Sequence, residues 1–505
     1  MCIHFDSGHN FAVPLPLKER TPTYHLANFE GLFTLSQNTL VNLMILRFLY
    51  RAVTEISWRL LFKAAVLWCG KSFFALRAFK KRCKKGIQFP PFLFFSLTNR
   101  CNLRCRGCWV ETAVKTADGR RQTAATNVPS LPEEEIGSYA GRMRGGRGED
   151  ANSPHPSPLP EGEGTNYPPP MSAEGIFELP GESIEKVIRI AKKESVYFYT
   201  LLGGEPLLTP ETLWNTIKNH PDAYFQIITN GLFFDEPTVR KIKYHGNVSP
   251  LVSVDGFEKE NDARRGVGTF TRAIEGCREL QRQKILYGVA TTVTAENFES
   301  VLTEEYVNHF VRLGAIYLWF YVYRPVGADP MPEWSIKPDM MLELRRRLLR
   351  LRRKMPIILI DTYWDEKGFA VCPASKGMAF VIGPKGSIEP CPPLNVTKEW
   401  IGDNGGNFYE TMNNSEFLLR FREFVGQQYD GEHSQGCVII DYPQELAEFF
   451  RSERVIDVSG RNFLEELTRR EPLASHYLPG QEIPEDYWVY RLLKRMLFFG
   501  MGAYG

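Results

Sequence analysis

A regular alternation of apolar, strand-like runs and helical patterns constrains the fold more than any other feature of this chain. Strands are predicted at residues 92–97, 196–201, 224–229, 251–254, 286–293 and 316–323, and helical patterns separate the later ones. Repeated βα units of this length form a parallel sheet with helices packed on its faces. The predicted fold is therefore α/β, with a partial (β/α)6 TIM-type barrel.

Polar or cysteine-rich segments stand where several of these strands end. Three cysteines follow the first strand, residues 203–206 follow the second, Asn230 follows the third and Asp255 follows the fourth. In a (β/α) barrel the active site collects at the carboxyl ends of the strands. We therefore expect these segments to meet at one rim and to form an active site.

Cys101, Cys105 and Cys108 have C-x3-C-x2-C spacing. Thiolates bind soft metals and iron–sulfur clusters, and such clusters usually take four cysteines. Three cysteines on one loop can hold a cluster and leave one iron without a protein ligand, which makes that iron reactive. A structural zinc site is the alternative, but it needs four ligands in paired knuckles, and no fourth partner is close in the sequence.

The turn Gly203-Gly204-Glu205-Pro206 supplies the second motif. Its glycines let backbone amides approach an anionic ligand, and Glu205 offers a carboxylate to an ammonium group. With the cysteine loop, this turn resembles the radical S-adenosylmethionine (SAM) superfamily from about residue 92 to residue 323. The resemblance implies a 4Fe–4S cluster on the three cysteines, with SAM on the fourth iron. It also implies reductive cleavage of SAM to a 5′-deoxyadenosyl radical that abstracts hydrogen from a substrate.

The same resemblance assigns roles to individual residues. Cys101, Cys105 and Cys108 would be the catalytic cluster ligands, and SAM would contact Gly203, Gly204, Glu205, Pro206, Asn230, Ser253, Asp255 and Arg265. For Arg265 an ordinary salt bridge is the alternative. Arg100, Arg104 and Arg106 flank the cysteines, where positive charge would lower thiol pKa values, or they are surface residues without such a role. Tyr317, Tyr321, Tyr323 and Arg324 are candidates for the substrate cavity, although core packing explains the tyrosines equally well.

Three later cysteines, Cys372, Cys391 and Cys437, resemble the auxiliary-cluster extension (SPASM or twitch type) found in relatives. The full extension has more cysteines than this chain offers. We expect one auxiliary iron–sulfur cluster at most, and three buried thiols in a small α+β domain are the alternative.

Both ends of the chain carry apolar and basic residues in amphipathic patterns. Residues 41–76 form one such stretch, which a run of basic residues up to Lys85 follows, and residues 487–499 form another. This arrangement is typical of helices that lie in an anionic membrane surface. Docking on the protein's own core is the alternative. No charge-free run of 18 residues occurs in the first stretch, so a membrane-spanning helix is not expected there.

The chain is predicted to have four regions. They are an amphipathic N-terminal region (1–86), the barrel (87–330), an auxiliary-cluster region (331–450) and a helical tail (451–505). Within the barrel, the Gly-, Pro- and Ser-rich segment 112–181 reads as a mostly disordered insert. A basic helix at residues 339–354 is predicted to present a solvated face, because no aromatic residues interleave for nucleic-acid stacking.

Composition also bears on the cellular compartment of the protein and on its partners. Ten cysteines in 505 residues are no disulfide framework, and no cleavable signal peptide is visible. We expect a cytoplasmic protein that is peripheral on the inner face of the membrane, with an electron donor such as flavodoxin or ferredoxin. The expected substrate is a lipid or another membrane-associated small molecule, and a peptide is the alternative. A non-catalytic iron–sulfur electron carrier or sensor is the rival class, although it would not need the GGEP turn.

Overall fold

The computed structural model describes residues 37–110, 175–361, 363–429, 435–473, 475 and 479–496. The centre of the predicted insert, residues 111–174, lies outside these ranges. Its end is described, and residues 175–179 run beside the cysteine loop. Phe177 N donates to Asn99 Oδ1 (2.8 Å), and Leu179 N donates to Leu97 O (2.8 Å).

The N-terminal region is helical and covers the amino-terminal end of the barrel. It comprises α1 (Gln37–Glu55), α2 (Trp58–Lys63), a π-helical segment (Ala64–Gly70) and α3 (Lys71–Cys83). Trp68 is buried and stacks on Tyr224 (5.3 Å between ring centroids), with Phe198 and Tyr317 beside it. Docking on the protein's own core is therefore confirmed for the buried side of these helices.

Seven parallel strands of the described residues form the barrel sheet, in the order of the chain. They are β1 (Leu93–Ser96), β2 (Phe198–Leu202), β3 (Tyr224–Thr229), β4 (Val248–Ser253), β5 (Gly288–Val293), β6 (Tyr317–Val322) and β7 (Ile358–Asp361). Buried Val, Ile, Leu and aromatic residues predominate in these strands, as expected of a parallel sheet covered on both faces. The prediction of a parallel α/β sheet is confirmed, and β7 is a strand that the sequence pattern did not indicate.

Helices connect these strands on the outside. They are α4 (Gly181–Lys193), α5 (Pro210–Asn219), α6 (Glu236–His245), α7 (Glu258–Arg265), α8 (Thr269–Arg282), α9 (Phe298–Val301), α10 (Glu304–Arg312) and α11 (Pro338–Lys354), with 3₁₀ turns at Pro206–Leu208 and Pro332–Trp334. Capping residues set the ends of α6. The side chain of Asp235 accepts from Thr238 N, and Gly246 adopts the left-handed conformation (φ 71°) just after the last turn.

The C-terminal part extends the same sheet beyond β1. Short strands β8 (Val381–Ile382), β9 (Ser387–Glu389) and β11 (Glu399–Trp400) continue it, so that the order is β11-β9-β8-β1 to β7, whereas β10 (Val396–Thr397) pairs with β12 (Ile456–Asp457). The remaining helices are α12 (Asp403–Gly406), α13 (Phe408–Asn414), α14 (Glu416–Gln428), α15 (Val438–Asp441), α16 (Pro443–Ser452), α17 (Phe463–Thr468) and α18 (Trp488–Met496). Strands from both sides of residue 330 belong to the same sheet, so the sheet shows no boundary at that position. The division into four regions stays a prediction.

The solvated face predicted for the basic helix α11 is wrong for two of its arginines. Arg345 and Arg352 are 2% exposed and pair with Asp361 at the end of β7 (3.0 and 2.6 Å). Lys494 of α18 reaches the other oxygen of the same carboxylate (2.8 Å). These ion pairs hold the C-terminal helix beside β7, which otherwise would be an open sheet edge.

Candidate functional site

A cavity of about 240 Å³ opens at the carboxyl ends of the barrel strands. Its wall contains Cys101, Cys105, Cys108, Gly203, Gly204, Asn230, Ser253, Arg264, Arg265, Thr292, Tyr321, Tyr323 and Arg324 among others. Most of the side chains predicted for the rim therefore face one space. Apolar neighbours such as Phe94, Ile228 and Trp109 complete the wall and limit the access of water.

The cysteine loop is fixed by close backbone packing. Gly107 has φ +62°, and a Cβ built on it would lie 2.3 Å from Tyr323 Oη. A Cβ on Gly327 would lie 2.0 Å from Cys108 O. Both glycines are thus required where the segment after β6 presses on the loop. This packing sets the direction in which the loop presents its thiols to the cavity.

The GGEP turn is bonded directly to the cysteine loop. Gly204 N donates to Thr98 O (2.7 Å), and Glu205 N donates to Arg100 O (2.8 Å). A Cβ on Gly204 would lie 2.1 Å from Arg100 O, so no larger residue fits without moving backbone. The two motifs, about 100 residues apart in the sequence, are therefore a single structural unit.

Glu205 lies behind this turn and is 1% exposed. Its carboxylate accepts hydrogen bonds from Thr229 Oγ1 (2.7 Å), Asn230 N (2.8 Å) and Leu207 N (3.2 Å). Burial raises the pKa of Glu205 to about 7, and these three donors oppose the rise. In this structure the carboxylate holds β3 against the GGEP turn, and it does not line the cavity.

Asn230 connects this anchor to the cysteine loop, because its Nδ2 donates to Asn102 Oδ1 (2.8 Å). Ser253 lies at the end of β4 on the cavity wall. Pro206 is buried at the start of the 3₁₀ turn and does not line the cavity. The structure therefore brings Asn230 and Ser253 into the site and places Pro206 beneath it.

Asp255 is buried between two arginines of α7. Arg265 Nε donates to its Oδ2 (2.5 Å), Arg264 Nη1 bonds the same oxygen, and Thr292 N donates to Oδ1 (2.8 Å). Burial would raise the pKa of Asp255, but both arginines outweigh that effect and lower it to about 2. Asp255 thus orients two cations toward the cavity. The sequence analysis did not identify Arg264 as a site residue, because only Arg265 of this Arg-Arg-Gly run matched the family pattern.

The thiols themselves are not activated by the arginines that flank them. Burial raises the pKa of Cys101 and that of Cys105, and the cations that oppose the rise at Cys105 are Arg265 and Arg264. The flanking arginines have other partners: Arg100 pairs with Glu178 (3.7 Å), Arg104 Nη1 donates to Leu103 O (2.9 Å) and Arg106 stacks on Trp334 (5.0 Å). Positive charge near the thiols was therefore predicted correctly, but at Cys105 it comes from Arg264 and Arg265 and not from the flanking arginines.

The three later cysteines gather at the far side of the cavity. Cys372, Cys391 and Cys437 are buried, and their mutual repulsion contributes to the raised pKa of Cys391 after the larger effect of burial. Arg324 Nε donates to Cys437 Sγ (3.0 Å), and Pro392 and Pro393 line the cavity directly after Cys391. In the described part of the chain, no three His, Cys, Asp or Glu side chains converge tightly enough to hold a single metal ion.

The residues present fit the cofactors that the two motifs imply. Three thiols on one loop are a donor set for an iron–sulfur cluster. Beside them, Arg264 Nε is buried without a hydrogen-bond partner, although the residue lines the cavity. Such an orphaned donor, next to a glycine turn open to the same space, suits an anionic group such as the carboxylate of SAM.

Comparison with known proteins agrees with this reading. Residues 168–303 match the model of the Radical SAM superfamily, a range that begins after the cysteine loop and includes the GGEP turn, Asp255 and Arg265. The match confirms the resemblance that the two motifs predicted. This family uses a 4Fe–4S cluster and SAM.

Curated relatives share part of the chain. They include Fe-coproporphyrin III synthase of Methanosarcina barkeri (26% identical, covering 32% of this chain and 43% of that protein) and the sporulation killing factor maturation protein SkfB of Bacillus subtilis (24%, covering 42% and 53%). The mycofactocin maturase MftC of Mycolicibacterium smegmatis is 23% identical over 49% of this chain and 65% of the relative. The chain thus spans about half the length of the curated relatives it matches.

Among solved structures, the crystal structure of Streptococcus suis SuiB bound to its precursor peptide SuiA resembles this chain with a TM-score of 0.46. It is 16% identical, and the match covers 68% of this chain and 69% of SuiB.

Proposed function

We propose that this chain, which carries a radical SAM domain, is an enzyme that reductively cleaves SAM and uses the resulting radical to abstract hydrogen from a substrate. One observation supports this most directly. The cysteine loop, the GGEP glycines and the arginines on Asp255 all face one cavity with a largely apolar wall. An electron carrier needs the cysteines alone, whereas this site also offers a place for the carboxylate of a second ligand.

In this proposal Cys101, Cys105 and Cys108 ligate the cluster and leave one iron open. When bound, the cluster would supply the electron that cleaves SAM. Gly203 and Gly204 present backbone groups to the methionine end of SAM, and Glu205 keeps that turn in place from behind. Arg264 and Arg265 supply positive charge, held at a fixed position by Asp255.

SAM cleavage by the full chain tests the proposal. The protein is reconstituted with iron and sulfide under anaerobic conditions, and SAM and a strong reductant are added. We expect 5′-deoxyadenosine to form, because the proposed reaction cleaves SAM to a 5′-deoxyadenosyl radical. An intact cluster without this product would instead support the electron carrier or sensor.

We also propose that Cys372, Cys391 and Cys437 hold one auxiliary iron–sulfur cluster. Their burial in one group beside the cationic Arg324 supports this, since clusters carry negative charge that a nearby cation offsets. Electrons would come from a donor such as flavodoxin or ferredoxin.

Two substrate classes remain, and different observations support each. The names of SkfB and MftC describe maturation proteins, and the solved SuiB structure contains a precursor peptide, which favours a peptide. The exposed apolar faces of the N-terminal helices favour a lipid or another membrane-associated molecule. A membrane surface is compatible with both classes, because it fixes the place of the enzyme and not the bond it attacks.

The N-terminal helices support one further part of this proposal, which is peripheral binding to a membrane. On α1, Leu46, Tyr50 and Val53 are 62%, 67% and 69% exposed and share one face, whereas Met44 and Ala52 on the opposite side are buried. Trp58 (75%) and Phe62 (56%) continue the exposed apolar surface on α2. Exposed apolar patches of this kind mark interaction sites.

The charge of this region favours an anionic surface as the partner. Glu55 is the only acidic residue of the sequence between positions 37 and 110. Lys80, Lys81, Lys84 and Lys85 are exposed at the end of α3. Across the described residues, no helix has both the length and the apolar character needed to cross a membrane.

We expect the full-length protein to bind vesicles of phosphatidylcholine mixed with phosphatidylglycerol more tightly than vesicles of phosphatidylcholine alone. The double variant Trp58→Ser/Phe62→Ser should weaken binding by about tenfold or more, because each large side chain gains about 1.5–3 kcal/mol on full burial. Flotation of protein with vesicles measures this. Val267→Ser, at a valine that is 83% exposed and lies outside these helices, is the control. A wild-type protein that stays unbound at low salt would refute the proposal.

A further inference from the structure

Arg324 is a half-buried cation without a carboxylate partner on the cavity wall. It follows β6 directly, and its Nε donates to Cys437 Sγ (3.0 Å). Its Nη1 makes only a long bond to Val322 O (3.5 Å). Among the described residues, no Asp or Glu lies within ion-pair distance of this guanidinium, and none supplies an acceptor for Nη2.

The other arginines of the cavity are differently placed. Arg264 and Arg265 share Asp255, which neutralises one of their two charges. Arg324 lies instead toward Cys437 and the Pro392-Pro393 side, away from the GGEP turn with which the methionine end of SAM is expected to interact. Among the described residues, the cavity wall contains no Asp or Glu. On this second side Arg324 meets the Cys437 thiol through Nε, which leaves Nη1 and Nη2 for a ligand.

We infer that Arg324 binds a carboxylate of the substrate and thereby orients the substrate between the two groups of cysteines. This rests on the proposed function, because it assigns the occupant of the same cavity. A guanidinium fork matches a carboxylate with two parallel hydrogen bonds, and a desolvated cation binds such a group far better than a neutral one. The apolar wall formed by Phe94, Ile228 and Tyr321 suits an aromatic or aliphatic body behind that carboxylate.

A peptide and a free apolar acid can both supply this group, so the test uses a probe of each kind. Hydrocinnamate represents the apolar acid and N-acetylphenylalanine the peptide-like acid, each paired with its neutral amide. Calorimetric titration into the reconstituted, SAM-loaded enzyme measures binding without turnover. We expect at least one acid to bind about tenfold or more tightly than its amide, and the preferred acid indicates the substrate class.

Arg324→Gln should remove this preference, and Arg324→Lys should keep part of it, since lysine retains the charge without the fork. Iron and sulfide content is measured for each variant. Equal binding of acids and amides by the wild type would overturn the inference. So would a variant that loses iron but keeps the preference, because Arg324 would then serve only the Cys437 group. Formation of 5′-deoxyadenosine is scored separately, so failure of the enzyme proposal is visible on its own.

Discussion

Replacing Cys105 with alanine should reduce 5′-deoxyadenosine formation by more than about 100-fold. The loop presents three thiols at one wall of the cavity. Cys105 is the thiol whose raised pKa is counteracted by Arg265 and Arg264. Loss of a residue that only supports a metal ligand typically costs 10–100-fold, so loss of a ligand itself should cost more. Product is quantified by chromatography after anaerobic reaction with SAM and a reductant.

Cys83→Ala is the matched control, since this cysteine is exposed at the end of α3 and far from the site in the fold. It should leave both cluster content and product unchanged. Iron and sulfide analysis of the Cys105 variant adds a second result, because a cluster held by Cys372, Cys391 and Cys437 should remain. Persistent product formation by Cys105→Ala would contradict the ligand assignment, and complete loss of iron would contradict the auxiliary cluster.

The sequence predicted the barrel sheet because its signals are local. The strand at residues 224–229 was predicted with its observed ends, since an apolar run and a following Asn-Gly turn bound it clearly. The positions of the short strands β7, β8, β9 and β11 were not predicted. Each has only two to four residues, too few for a periodic pattern. β8 joins the sheet by pairing with β1, nearly 300 residues earlier in the chain, and β9 and β11 extend it from there.

The sequence indicated many of the residues that line the cavity, but few of the contacts between them. Motif spacing brought the cysteine loop and the GGEP turn to one rim, and the structure joins them by hydrogen bonds from Gly204 and Glu205. The same motifs suggested that Glu205 faces a ligand. In the structure three donors surround its carboxylate, and two of them belong to β3 and the residue after it. A sequence motif does not show which residues of another strand will bond to it.

The buried arginines of α11 are a second case in which the partners are distant in the sequence, and here the contacts contribute more to stability. A run of Arg and Lys predicts a solvated face, because isolated charges are rarely buried. Asp361 and Glu485 overturn that expectation, and they lie respectively 9 and 133 residues beyond Arg352. Charge patterning along one helix cannot reveal carboxylates that come from a strand and from the tail of the chain.

Asp361→Ala should therefore lower the free energy of unfolding by about 3–5 kcal/mol, the usual cost of breaking a buried ion pair from one side. The substitution leaves Arg345, Arg352 and Lys494 buried with only Glu485 to balance them. Burial alone would raise the pKa of Asp361, but the three cations lower it well below its usual range, so the carboxylate is ionised in the folded protein. Denaturant-induced unfolding followed by circular dichroism measures the change.

Asp486→Asn supplies the control for that measurement. Asp486 pairs with Arg353 next to the buried network, but both side chains are about 40% exposed, so the change should cost less than about 1 kcal/mol. Asp361→Asn, which keeps the size of the side chain and removes its charge, should behave like Asp361→Ala because it too leaves the three cations with only Glu485 to balance them. If Asp361→Asn and Asp486→Asn had equal effects, the network would not hold α18 against β7. The C-terminal helix would then need another explanation for its position at the edge of the sheet.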